Sequence, residues 1–286
     1  MCAAARPPRL NYDTDMSGAV DWRIIAGAAL TGWVALAALA RWITGASIRG
    51  DDLEAAICLR FVQVYARAVH RLRVIGAEHI PVGRPRERAP GALIVVANHT
   101  AGVDPLLIQA AMPYEVRWIM AQDMRAPAME RFWQYARIIF IDREKRDSRG
   151  LREALRHLKA GGVIGLFPEG HIERPARSLL PFEEGAGFLI AKSGAPVLPV
   201  VIEGTPEVDP AWASLVRPSR STLRFLPLWR PEAGEVDSVG AALRELFQRA
   251  TGWRLNERRI EFKDGEWWYV TPDGVYVHAS EVESRS

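Results

Sequence analysis

The run ALIVVANHTAGVDPLLIQAAM, residues 92 to 112, passes from a short apolar stretch into a polar loop and then into a helical pattern. Ala92 to Ala97 shows no apolar–polar alternation, so a strand here needs cover on both faces, as in a parallel sheet flanked by helices. Similar runs follow at Val116–Met120, Ile138–Ile141, Val163–Phe167 and Val197–Ile202. Between them, Asp104–Met112, Pro127–Tyr135, Ser148–Ala160 and Glu184–Ser193 carry helical patterns, the third capped by Asp147 or Ser148 and stopped at Gly161-Gly162. Strands alternating with helices give an α/β fold, a largely parallel central sheet covered by helices. In such sheets ligands gather at the carboxyl ends of the strands.

Outward from this body, the sequence predicts a strand near Thr222–Leu226, a helix over Val239–Ala250, and an aromatic hairpin, Glu266–Thr271 with Gly274–His278, turned at Pro272-Asp273. Trp267, Trp268 and Tyr269 read as packing residues. The expected organisation is an amino-terminal segment 1–50 with a membrane helix at about 22–43, an amphipathic interfacial helix 51–73, an α/β domain 74–255 and a carboxyl-terminal extension 256–286.

The membrane helix rests on Ile24 to Ala40, which carry no charge and are bracketed by Arg23 and Arg41 and by Trp22 and Trp42. At about 1.5 Å per residue that run approaches the hydrocarbon thickness of a bilayer, and the bracketing residues suit its interfaces. A signal peptide fits less well, because the upstream stretch mixes Asp13, Asp15 and Asp21 with Arg6 and Arg9, and no small-residue cleavage site follows. Next, Leu53, Ile57, Phe61, Val64, Ala68 and Leu72 share one helical stripe, with Arg60, Arg67 and Arg71 on a flank. The stripe is expected to pack on the domain while the arginines meet lipid phosphates. Positive residues after the apolar run outnumber those before it, which predicts a catalytic body on the cytoplasmic side.

Composition narrows the function classes. Lys+Arg number 37 against 34 Asp+Glu, so no global field is built for nucleic acid. Two cysteines, Cys2 and Cys58, make no disulfide framework and lack metal-site spacing, consistent with a reducing compartment. With 286 residues and 49% hydrophobic content, one substantial core is the expectation.

Three strand ends carry candidate chemistry. After the first comes Asn98-His99-Thr100-Ala101-Gly102-Val103-Asp104-Pro105, with a histidine and a carboxylate at a helix start. An imidazole can take a proton from a hydroxyl near neutral pH, and a carboxylate on its other nitrogen fixes the tautomer. Asp104 could equally cap the helix that Pro105 begins. The third strand ends in Ile141-Asp142-Arg143, offering a guanidinium that can fork onto phosphate or simply join a solvated charge run. The fourth ends in Phe167-Pro168-Glu169-Gly170, followed by His171, Glu173, Arg174 and Arg177: a carboxylate poised beside a glycine, or an ordinary turn. His171 and Glu173 lack the companions a metal site needs, and no Gly-x-Ser-x-Gly elbow of a serine hydrolase occurs.

Taken together, four ordered blocks resemble the glycerolipid acyltransferase (lysophospholipid acyltransferase) family, which includes 1-acyl-glycerol-3-phosphate acyltransferase. They are His99 through Asp104-Pro105 as the His-x4-Asp block, Ile139-Phe140-Ile141-Asp142-Arg143, Phe167-Pro168-Glu169-Gly170, and Ala195-Pro196-Val197-Leu198-Pro199-Val200, within about Tyr65 to Thr205. The resemblance implies an O-acyltransferase of phospholipid biosynthesis in which His99, held by Asp104, deprotonates a lipid hydroxyl. That hydroxyl attacks the thioester of acyl-CoA or an acyl carrier protein directly. Arg143, Glu169 and Gly170, with Arg174 in support, would hold the acceptor or its phosphate. No metal or redox cofactor is implied, and the partners are membrane lipids and the acyl donor.

One departure bears on the acceptor. Where the family has an arginine two residues after the Pro-Glu-Gly glycine, this chain has Ile172, with Glu173 next. Lysophosphatidate is the default acceptor; a different lipid acceptor, either another lysophospholipid or a non-phosphorylated lipid, and a noncatalytic membrane lipid-binding protein of the same fold are the alternatives.

Overall fold

The computed structural model describes residues 22–46, 48–50, 52–83, 90–142, 148–173, 177–231, 236–257, 259–263, 266–270 and 275–278. Arg143, Arg174, the Asp147 cap and the Pro272-Asp273 turn lie outside the described residues. In chain order the elements are α1 (Trp22–Thr44), α2 (Leu53–Ala68), β1 (Arg73–Ile75), β2 (Leu93–Ala97), α3 (Asp104–Ala111), β3 (Arg117–Ala121), α4 (Glu130–Tyr135), β4 (Ile139–Ile141), α5 (Ser148–Lys159) and β5 (Val163–Leu166). There follow β6 (Ser178–Leu179), α6 (Glu184–Ser193), β7 (Val197–Glu203), β8 (Thr222–Phe225), α7 (Val236–Thr251), β9 (Arg254–Leu255), β10 (Arg259–Lys263), β11 (Glu266–Val270) and β12 (Tyr276–His278).

The main sheet has the order β1-β8-β7-β2-β5-β3-β4. From β7 to β4 all neighbours are parallel, while β8 turns antiparallel to β7 and carries β1 with it. The carboxyl ends of β2, β3, β4, β5 and β7 therefore share one edge. Strand β2 is fully buried along its length. Its Leu93, Val95 and Ala97 pack on one face with residues of α2 and α3, and its Ile94 and Val96 on the other with residues of α5, α6 and α7. That two-sided burial is why the strand reads as an unbroken apolar run.

Helix α1 stands apart from this core. Within Arg23–Thr44 an 18-residue window has mean hydropathy 1.7 with none of its residues buried, so by length and composition this helix can cross a bilayer. Helix α2 begins at Asp52, whose carboxylate accepts from Ala55 N–H at 3.0 Å.

Four expectations are corrected here. The face of α2 that packs inward is Ala55, Ala56, Leu59 and Ala66, and the stripe predicted to pack on the domain, Leu53, Ile57, Phe61 and Val64, faces outward. Small side chains let α2 approach the core closely, so the bulky stripe is left outside. Arg60, expected to meet lipid, binds the end of α1: Nε and Nη2 donate to the Trp42 carbonyl at 2.8 and 2.6 Å, and the guanidinium lies 4.5 Å from the Trp42 ring centroid. The helix does not run on to Arg73. It ends at Ala68, Arg71 takes φ +43°, and Arg73 opens β1. Finally, the expected terminal hairpin is a three-stranded antiparallel sheet, with β10 added beside β11 and β12.

Candidate active site

Beyond Ala97 the chain leaves β2 but stays tied to the sheet. The Asn98 side-chain amide pairs with the Ile202 peptide of β7, Nδ2 donating to the carbonyl at 3.1 Å and Oδ1 accepting from N–H at 2.8 Å. This fixes the origin of the loop that carries His99. Gly102 is needed at the far side: a Cβ there would stand 2.6 Å from the Ala211 carbonyl oxygen. The adjoining Val103 N–H donates to Ser214 Oγ at 3.1 Å, so the 3-10 turn Ala211–Leu215 buttresses the loop.

Asp104 is fully buried and faces back into this loop. Its Oδ2 accepts from Thr100 N–H at 2.7 Å, from Ala101 N–H at 2.8 Å and from His99 Nδ1 at 3.0 Å. The carboxylate thus serves the residues before α3 and orients the imidazole, which decides between the two roles left open by sequence. An ionised carboxylate only accepts, so Nδ1 carries the proton and Nε2 is left as the basic nitrogen. The His99 side chain keeps 13% of its surface exposed, enough for a substrate hydroxyl to reach an edge of the ring.

The ring is also held from behind. His99 stacks on Phe167 with centroids 4.0 Å apart and planes 13° apart, and Phe167 stacks on Trp118 at 5.0 Å and 13°. An imidazolium formed against the Phe167 face gains cation–π stabilisation. Gly165 makes room for this column, since a Cβ there would lie 2.7 Å from the Trp118 ring.

The β5–α6 loop is the second wall. Gly170 has φ +69° and donates its N–H to the Phe167 carbonyl at 3.1 Å, which closes the Pro-Glu-Gly turn. Glu169 is only 2% exposed, and among the described residues neither carboxyl oxygen has a hydrogen-bond partner. Burial pushes its carboxyl well above the usual carboxylate range, Glu173 and Asp104 push the same way, and Arg244 opposes them. Its protonated form, which can donate as well as accept, is thereby favoured beyond the ordinary carboxyl range. Glu173, next to Ile172, is turned inward: its Oε1 accepts from Arg177 N–H at 3.1 Å and its backbone N–H donates to the His99 carbonyl at 2.7 Å.

Of the candidate residues, the structure brings together His99, Asp104, Glu169 and Gly170; β4 ends at the same edge, with Arg143 and Arg174 outside the described residues. Sequence reading missed Asn98 as a clamp, the Phe167–Trp118 column, and Arg244. From α7, Arg244 donates through Nη2 to the carbonyls of Leu179 at 2.8 Å and Asn256 at 3.1 Å, and through Nη1 to Glu257. With the β6–β9 pairing it staples the far end of the β5–α6 loop. An arginine on an amphipathic helix gives no local sign of such a task.

An acyltransferase family model matches residues 71–203. The chain is 31% identical over 203 residues to a 1-acyl-sn-glycerol-3-phosphate acyltransferase of Neisseria meningitidis serogroup B, covering 68% of this chain and 76% of that protein. It is 26% identical over 172 residues to the enzyme of that name from Limnanthes douglasii, spanning 59% of this chain and 58% of the relative's length. Among solved structures, the 1-acyl-sn-glycerophosphate (LPA) acyltransferase of Thermotoga maritima superposes with a TM-score of 0.55 at 25% identity, over 80% of this chain and 96% of that one.

Proposed function

This chain belongs to the acyltransferase family of the 1-acyl-sn-glycerol-3-phosphate acyltransferases, and from that membership we propose that it moves a fatty acyl group from a thioester onto the hydroxyl of a membrane lysophospholipid, by default lysophosphatidate. The observation that carries the proposal is the His99 Nδ1–Asp104 Oδ2 contact at 3.0 Å, with that carboxylate oxygen also accepting two backbone N–H groups.

In this reading His99 Nε2 takes the acceptor proton as the hydroxyl oxygen bonds to the thioester carbonyl carbon. Asp104 and the Phe167 face stabilise the imidazolium. Collapse of the tetrahedral intermediate breaks the C–S bond, and the imidazolium returns the proton to the departing thiolate. Ester and thiol are the products, and proton transfer with acyl transfer balances the reaction without a redox group. Glu169, when protonated, can donate to an acceptor oxygen, while Gly170 leaves room for the headgroup. Arg143 supplies the guanidinium for its phosphate and Arg174 supports it. The donor is acyl-CoA or an acyl carrier protein, and the body lies on the cytoplasmic side of the membrane crossed by α1.

Ile172 favours a second reading, in which the acceptor is a lipid without a phosphate, because the arginine usual at that position is replaced by an apolar side chain. Thiol release from a long-chain acyl-CoA, offered with lysophosphatidate, other lysophospholipids and a monoacylglycerol in parallel and repeated with acyl carrier protein as donor, separates the readings. Release that requires lysophosphatidate supports the first and release with monoacylglycerol alone the second. Silence with every acceptor and both donors would point to a noncatalytic lipid-binding protein.

A further inference from the structure

The 3-10 turn Ala211–Leu215 does more than buttress the His99 loop. Its outer side carries Trp212, 67% exposed, and one helical turn later Val216, 77% exposed, followed by exposed Arg217 and Arg220. A large apolar pair beside two arginines finds no packing partner among the described residues that would cover it. Glu207 and Asp209, also exposed, precede the turn.

The position of this turn explains the exposure. Tyr65 of α2 donates through its hydroxyl to the Leu215 carbonyl, and it also contacts the buried His70 ring at 2.8 Å. Ser219 N–H donates to the Val69 carbonyl at 3.2 Å and Ser221 N–H to the His70 carbonyl at 2.9 Å. The turn and its flank are thus sewn onto the end of α2, whose Phe61 and Val64 face outward beside Tyr65. Arg71, exposed, stands at the same junction. Helix α2 is in turn clamped through Arg60 to the end of α1.

We propose that Trp212 and Val216 form a second membrane foothold, seated in the interface of an anionic bilayer next to α2, with Arg71, Arg217 and Arg220 meeting lipid phosphates. Tryptophan favours the headgroup level, apolar side chains enter just below it, and clustered arginines select anionic lipid. Because the same turn packs on Gly102, contact at this foothold holds the His99 loop against the surface from which a lipid acceptor arrives. The inference rests on the membrane reading of α1 but not on any catalytic assignment.

The test uses the full chain reconstituted in phosphatidylcholine vesicles with and without 30% phosphatidylglycerol, a composition chosen as roughly that at which surface charge acts strongly on basic segments. Single cysteines at Trp212→Cys, Val216→Cys, Leu30→Cys and Ala242→Cys, in a Cys2→Ser, Cys58→Ser background, carry an environment-sensitive dye. Ala242 lies on α7, whose core residues pack on the opposite sheet face. The expected result is quenching by brominated lipid at 212 and 216, deepened by phosphatidylglycerol and weakened by Arg217→Gln with Arg220→Gln, with none at 242. Quenching at 212 and 216 no greater than at 242 would overturn the foothold, and no dependence on phosphatidylglycerol would overturn the arginine contact. No quenching at Leu30 would overturn the membrane span, and with it the ground on which the foothold is placed.

Discussion

The backbone N–H of Glu173 donates to the carbonyl oxygen of His99 at 2.7 Å, so the loop carrying Glu169 hangs from the residue whose ring is the proposed base. Displacing one displaces the other. The base and the buried Glu169 carboxyl are thereby kept in register across the β2–β5 boundary, and the following predictions probe the parts that hold them.

Replacing the base should separate chemistry from folding. His99→Ala is expected to lower thiol release about a thousandfold, and Asp104→Asn at least about a hundredfold, the range removed with a positioned general base or its orienting partner. Far-UV circular dichroism of His99→Ala should match the parent. Near-normal turnover in His99→Ala would eliminate the proposed mechanism.

Glu169→Gln tests the raised proton affinity of this carboxyl. The folded carboxyl keeps its proton above the ordinary value of 4.5. Its folded state therefore binds more protons than the unfolded chain as pH rises past that point, and wild-type stability falls there relative to the glutamine variant. The variant should match the parent at pH 4.5 and gain on it toward pH 8, by about 1.4 kcal/mol for every tenfold change in proton affinity. A melting-temperature difference that stays flat from pH 5 to 8 would show that Glu169 is ionised.

Gly165→Ala should disturb the aromatic column. The new methyl meets the Trp118 ring at 2.7 Å, an overpacking that costs about 1–3 kcal/mol. Turnover should fall while the donor KM changes little, because Phe167 moves the His99 ring and not the acyl site. Trp118→Leu paired with Gly165→Ala should recover part of the stability; a double variant worse than either single would contradict the contact.

Arg244→Ala should loosen the loop from its far end. The Leu179 carbonyl, left with the Asn256 N–H alone, and the half-buried Asn256 carbonyl each lose a donor, at about 1 kcal/mol apiece. Acceptor KM should rise more than kcat falls, with partial recovery in Arg244→Lys. Equal kinetics with wild type would show that β6–β9 pairing holds the loop unaided.

Much of the sheet was legible because its strands are local signals. Leu93–Ala97 and Val197–Glu203 are apolar on both faces, and His99 and Asp104 sit five residues apart on one loop, so spacing alone places them together. Three-residue β1 and two-residue β9 carry no alternation, since their partners β8 and β6 define them. The facing of α2 was misread because apolar size was taken for burial, whereas the alanines make the close contact. Trp118, Phe167 and Arg244 meet the site only through tertiary packing, which no spacing records.

Only Val69 to Leu72 separate α2 from β1. If α2 rides on the bilayer, this connector leaves almost no slack between lipid and sheet, and the standoff of His99 above the hydrocarbon becomes a built dimension. The molecule then acts as a depth gauge: it selects acceptors by the altitude of their hydroxyl as well as by headgroup contacts. Residues inserted at this connector would retune that altitude and leave every side chain of the site in place.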